Sequence, residues 1–140
     1  MGARRKFDTE VKISTLKSCE HLGKRYLNDL LHVQNVKLYA SLIFLQLAKV
    51  HQLTSKDLLI LESAAILHDI GKYVNLRDHH KNSYDLINNS SIFGLSEDDK
   101  KKIAILSYFH SKKEPSIDHR FFATYNDSEK IKIIKLIAIL

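Results

Sequence analysis

The chain has 140 residues, 44% of them apolar, which is enough for one domain with a real core and leaves room for no second one. A formal charge of +6 and a pI near 9.4 favour anionic partners: phosphorylated small molecules, polyphosphate or nucleic acid. Cys19 is the single cysteine, so an internal disulfide and a cysteine-based zinc site are both excluded, and a reducing, cytoplasmic setting is expected.

One proline and four glycines leave long helices nearly uninterrupted, and tryptophan is absent. The expected fold is therefore all-α, a compact bundle of about six helices in a single domain spanning residues 1–140. The N-terminus is charged and precedes no apolar run of signal-peptide length. The final run, Ile131 to Leu140, is broken by Lys132 and Lys135 and falls far short of the roughly 20 residues needed to cross a bilayer, so no membrane partner is expected.

Val11, Ile13 and Leu16 form a weak helical stripe within Arg4 to Lys17. Glu20 to Leu31 reads as a second short helix, with Leu22, Tyr26, Leu27, Leu30 and Leu31 on its buried side and Gly23 as a weak point. His32 to Gln52 carries the strongest periodicity: Val33, Val36, Ala40, Ile43, Phe44, Leu47 and Val50 recur at three- and four-residue steps. His32 shares the stripe of Val36 and Ala40, which turns its ring toward the core side. Thr54 or Ser55 caps the next helix, and Leu58 to His68 is so continuously apolar that neighbours must surround it.

Lys72 to Asp78 is a polar connection. A helix with Tyr84, Leu86 and Ile87 follows His79-His80, and Asn88 to Gly94 is a loop with Ile92 and Phe93 tucked in. Ser96 with Asp99 marks a further helix start, and that helix runs to His110. Ser111 to Ser116 holds the proline and reads as a loop, and Ile117 to Tyr125 is ambiguous. Asp127 or Ser128 caps a last helix, Glu129 to Leu140.

The stretch Ala64-Ala65-Ile66-Leu67-His68-Asp69-Ile70-Gly71-Lys72 organises the chain. It sets an imidazole beside a carboxylate at the end of a helix that is otherwise core. A carboxylate in an apolar site costs several kcal/mol unless partnered, and a divalent metal is one such partner. The alternative is a solvated helix end closed by a glycine cap. Four histidine-bearing places, His32, His68-Asp69, His79-His80 and His110, all fall at helix ends, which in an antiparallel bundle can share a pole. Nitrogen plus carboxylate ligands without thiolate suit manganese, iron, magnesium, nickel or zinc. Lys72, Arg77 and Lys81 are candidate phosphate contacts, though each also reads as ordinary loop charge. His21, His51 and His119 lack this context and read as surface or core residues.

The pattern His32 … His68-Asp69 resembles the signature of the HD-domain superfamily of metal-dependent phosphohydrolases. The series His32-Val33-Gln34-Asn35-Val36, Leu67 to Tyr73, His79 to Ile87, Phe93-Gly94-Leu95 and Tyr108-Phe109-His110 is similar to one branch of it. That branch is the C-terminal module of the exopolyphosphatase/guanosine pentaphosphate phosphohydrolase family, over roughly residues 10 to 140. The resemblance implies His32, His68 and Asp69 as ligands of a first divalent metal, with His110 and one of His79 or His80 at a second. It implies water attack on phosphorus oriented by Asp69, with Lys72 or Arg77 steadying the leaving phosphate, on a polyphosphate or a phosphorylated nucleotide. In that family two actin-like domains precede this module and hold the main phosphatase site; nothing in this sequence corresponds to them. HD enzymes also use a distal aspartate on a late helix. The last helix here reads as truncated about where that residue is expected, and Asp118 and Asp127 lie too early to match. A non-catalytic role therefore stands beside the enzymatic one: an accessory module that binds a phosphorylated ligand or mediates homodimer contacts. Specific nucleic-acid binding is disfavoured, because the basic residues form no arm or recognition motif.

Overall fold

The computed structural model describes residues 2–110 and 115–140, with side chains from residue 8 onward. Among these residues the fold is an all-α bundle: α1 (Gly2–Arg25), α2 (Leu30–Gln46), α3 (Ala48–His51), α4 (Ser55–Leu67), α5 (His79–Asn88), α6 (Glu97–Phe109) and α7 (Asp127–Ile139). Short 3-10 turns follow α4 (Ile70–Tyr73) and precede α7 (Arg120–Phe122). Against the expected six or so, the two N-terminal stretches merge into α1, while Leu47 leaves helical geometry and separates the short α3 from α2. Ser111 to Glu114, most of the expected proline loop, lie outside the described residues, as do the side chains of the Arg4–Lys6 run.

α4 is the axle. Every residue from Leu59 to Leu67 is buried, and α1, α2 and α6 pack around it. Burial of each such Leu or Ile stabilises the fold by about 1.5–3 kcal/mol, which explains why the sequence is apolar on every side here. Thr54, not Ser55, caps α4: its hydroxyl accepts from Asp57 N while the Asp57 carboxylate accepts from Thr54 N. The one acidic residue well inside α4, Glu62, is buried and held by Lys12 of α1 at 3.2 Å.

Several boundaries differ from expectation. α1 runs on through Gly23 to Arg25, and the chain turns at Tyr26 to Asp29 where a second helix was expected to continue to Leu31. Leu27, Leu30 and Leu31 are consequently exposed rather than buried. Asn28 lies in the turn that closes α1, its N–H donating to Gly23 O at 3.1 Å. Its side chain folds so closely over Gly23 that a Cβ there would collide with it, and its amide donates to Ile66 O of α4 at 3.1 Å. Ile43, Leu47 and Val50 are also exposed, so α2 is buried along a narrower stripe of Val33, Ala40 and Phe44. Phe93 lies on the surface, while Ile92 alone fills the loop. Asn126 caps α7, ahead of the expected Asp127 or Ser128, by accepting from Glu129 N at 2.8 Å.

Among the described residues, several lysines of the basic runs are engaged within the fold. Lys100 is buried against Glu97 and Ser90 O, Lys102 bridges Asp98 and Glu129, and Lys135 donates to His51 O. None of the helices is long and apolar enough to cross a membrane among the described residues.

Candidate metal centre

Four helix ends bring the chemistry together. α4 stops at Leu67, so His68 and Asp69 are presented at its C-terminus. The turn beyond is pinned to α5: Gly71 N donates to Ser83 Oγ at 2.8 Å, and a Cβ on Gly71 would collide with His79 O and Ser83 N. Gly71 is thus required by the close approach of α5, not by a left-handed cap as the solvated-end alternative had it. At the start of α2, Asp29 accepts from His32 N at 3.1 Å and fixes the first turn.

His32 Nε2 lies 3.3 Å, and His68 Nε2 3.2 Å, from the same oxygen of Asp69, Oδ2. Lys72 Nζ reaches that oxygen at 3.0 Å. His68 is fully buried, and its Nδ1 sits 2.7 Å from Ala65 O. A carbonyl can only accept, so Nδ1 carries the hydrogen and, in the neutral ring, Nε2 presents its lone pair to the carboxylate. Two electron-rich atoms 3.2 Å apart, with Nε2 buried and without a hydrogen bond, are stable only around a proton or a metal cation. Fixing the tautomer through a backbone carbonyl is how metal-ligating histidines are oriented. Burial pushes the Asp69 carboxyl up, but with a proton on His68 Nε2 the imidazolium, together with the ammonium of Lys72, outweighs it and holds the group well below the usual carboxylate range. Asp69 is an anion at any physiological pH.

His110, the residue ending α6, packs its ring 4.3 Å from that of His68. Burial and the neighbouring His68 push it down to about 4, so it is neutral near pH 7, and its buried Nδ1 has no hydrogen-bond partner. The rings of His79 and His80 lie 3.9 Å apart at the start of α5; His79 Nδ1 donates to Leu76 O, and His80 is near enough to His110 to contribute to its lowered pKa. Among the described residues, the group whose donor atoms all lie within 4.8 Å of one another is His32, His68 and Asp69. His79, His80 and His110 fall outside it, as do Asp118 and Asp127. Arg77 and Lys81 are exposed and not brought to the group.

A family model described as Ppx/GppA phosphatase, domain III, matches residues 15–140. The chain belongs to the Ppx/GppA phosphatase family. No curated protein matches it. Two of the three remaining histidines belong to this domain's scaffold. His51 is buried, donating through Nε2 to Phe44 O and accepting from Leu53 N, while His119 accepts from Phe121 N and packs on Phe109. His21 is exposed.

The group of His32, His68 and Asp69 opens onto a groove of about 560 Å³, walled in part by Tyr26, Leu27, Asn28, Asp29 and Tyr73. These residues were not legible as site residues, because Tyr26 and Leu27 had been assigned to the buried side of a helix that does not exist there. A usable signal was Asp29: an aspartate three residues before His32 is a helix start, and would have placed the turn beside the histidine.

Proposed function

We propose that this Ppx/GppA domain III is an HD-type module that holds a divalent cation at His32, His68 and Asp69 and hydrolyses or binds a polyphosphate or a phosphorylated nucleotide. The observation that carries the reading is the tautomer of His68: its Nδ1 donates to Ala65 O, which aims the Nε2 lone pair at Asp69 Oδ2. Two imidazole nitrogens and one carboxylate oxygen fit manganese, iron, nickel or zinc, and magnesium less well. When bound, such a cation lowers the pKa of water and polarises a phosphoryl oxygen. The chain's own residues do the rest. Asp69 remains ionised and offers an acceptor that orients an attacking water. Lys72, half-exposed beside it, is placed to hold a phosphate oxygen. His110, neutral near pH 7, offers its unpartnered Nδ1 as a ligand for a second cation. His80 supports a second cation position next to His110, with His79 the weaker candidate.

A second reading is favoured by the three-residue ligand group, which neither Asp118 nor Asp127 joins. The module would then bind a phosphorylated ligand, or join two copies of the chain, without turnover. Elemental analysis of protein purified without chelator, followed by phosphate-release assays on polyphosphate and guanosine tetra- or pentaphosphate with and without Mn²⁺, separates the two. Bound metal without turnover selects the accessory role. Turnover that survives His68→Ala sinks the assignment of catalysis to this site.

A further inference from the structure

The groove beside Asp69 is poorly built for a polyanion. Its described wall carries one cation, Lys72, against two carboxylates, Asp29 and Asp69, and Lys72 is already paired with Asp69 at 3.0 Å. That is a formal −1, and a divalent cation at the proposed site brings it to +1. A single phosphomonoester, of charge about −1.5 to −2 near pH 7, is matched by such a site. A linear polyphosphate carries charge along its whole length and needs cations along its whole length, and Arg77 and Lys81 do not line this groove.

Beside Asn28 and His32, the rest of the wall is Tyr26, Leu27, Val33 and Tyr73. Tyr73 is 57% exposed and meets Tyr26 edge-on at 5.5 Å. Leu27 is 79% exposed although it sits at φ 53°, a left-handed conformation that side chains of its kind avoid. Asn28, next in the chain, is the residue type that tolerates that conformation. The left-handed residue closes the C-terminus of α1, with Leu27 N–H bonded to Lys24 O and Asn28 N–H to Gly23 O, and it leaves the Leu27 side chain exposed on the wall it shares with Tyr73.

We infer that the groove takes a phosphomonoester bearing a planar ring, of the nucleoside monophosphate class, with the phosphate at Lys72 and the cation site and the ring against Tyr73 and Leu27. The inference rests on the metal reading above for its phosphate end, while its ring end stands on Tyr73 and Leu27 alone.

Isothermal titration of the whole chain tests it, with Mn²⁺ in molar excess and guanosine 5′-monophosphate, ribose 5-phosphate and tripolyphosphate as probes. A stacked base contributes enough that the nucleotide should bind at least about fivefold more tightly than ribose 5-phosphate, and more tightly than tripolyphosphate. Tyr73→Ala and Leu27→Gly should bring the nucleotide-to-ribose phosphate ratio to about one; the glycine relieves the backbone, so loss of folding cannot account for the result. Equal affinity for nucleotide and ribose phosphate, tighter tripolyphosphate, or an unchanged ratio in both variants overturns the inference. Mn²⁺ titrated alone keeps the two readings apart. Mn²⁺ binding with no preference for the nucleotide removes this inference and leaves the metal site. A base-dependent preference without Mn²⁺ binding supports this inference and removes the metal site.

Discussion

His32 Nε2 at the start of α2 and Asp69 Oδ2 beyond the end of α4 lie 3.3 Å apart. The contact joins the start of α2 to the turn that follows the C-terminal end of the buried α4. A cation held there as proposed would tie α2 to α4 and so link metal binding to stability. At 100 times its dissociation constant a ligand adds about 2.7 kcal/mol, which for a chain this size raises Tm by about 8 °C. Thermal melts with and without Mn²⁺ should show that shift. His32→Ala removes a half-exposed ring, so it should leave the metal-free Tm within about 2 °C and abolish the shift. His68→Ala should lower the metal-free Tm as well, because it empties a fully buried position. A shift that persists in both variants places the metal elsewhere.

The core of this site was legible because its chemistry is local: an imidazole and a carboxylate side by side, ending an apolar run, need a partner whatever the fold. The helix end alone told that His32 would meet them; the stripe it shares with Val36 and Ala40 misled, because the His32 ring is not turned into the core but stays half-exposed. The groove was not legible, because it depends on the turn that closes α1, where Asn28 reaches across to Ile66 O, an interaction between residues far apart in the chain. Propensity favoured continuing the helix.

Gly71 makes a sharper test of how the site is framed. Its missing side chain lets α5 approach the turn after Asp69, and a Cβ would collide with backbone atoms that cannot swing aside. Gly71→Ala should therefore cost about 2–4 kcal/mol, in the range of overpacked cores and disrupted backbone contacts, and reduce Mn²⁺ affinity by displacing Asp69. Ser83→Ala, which strips the acceptor from the buried Gly71 N–H, should cost about 1–3 kcal/mol. Urea unfolding and Mn²⁺ titration of both variants measure this. A Gly71→Ala protein as stable as the parent contradicts the close approach of α5.

The start of α6 makes stability depend on acid. The Asp99 carboxylate accepts from Ser96 N at 3.1 Å and from Lys56 Nζ at 2.9 Å. Burial raises its pKa, but Lys56 and Ser96 outweigh burial and the net shift is downward. A carboxylate whose folded pKa lies below its unfolded value contributes stability that is complete above the unfolded value, about 3.9. That stability is lost as pH falls from there through the folded value. Asp99→Asn should flatten the decline in stability below about pH 4, as measured by urea midpoints at pH 7 and pH 3. Ser96→Ala, which removes the capping hydroxyl, should cost about 1 kcal/mol at pH 7. An Asp99→Asn protein with the parent's full acid sensitivity would assign that sensitivity to other carboxylates.

Lys72 separates the metal from the phosphate. Its ammonium occupies the oxygen of Asp69 that a cation would use, at 3.0 Å, and in that position it repels a second positive charge. The same charge attracts a phosphate. Lys72→Met keeps the aliphatic length and removes the charge, so the two affinities should move in opposite directions. Mn²⁺ should bind up to about fivefold more tightly, because a repulsion on the order of 1 kcal/mol between half-exposed charges is relieved. Inorganic phosphate, titrated onto the Mn²⁺-loaded chain, should bind about tenfold more weakly, through loss of a charge-assisted hydrogen bond of roughly 1.5–3 kcal/mol. Loss of both affinities together would mean that Lys72 holds Asp69 in place for the metal. Loss of neither would return Lys72 to ordinary loop charge and leave the phosphate to the cation alone.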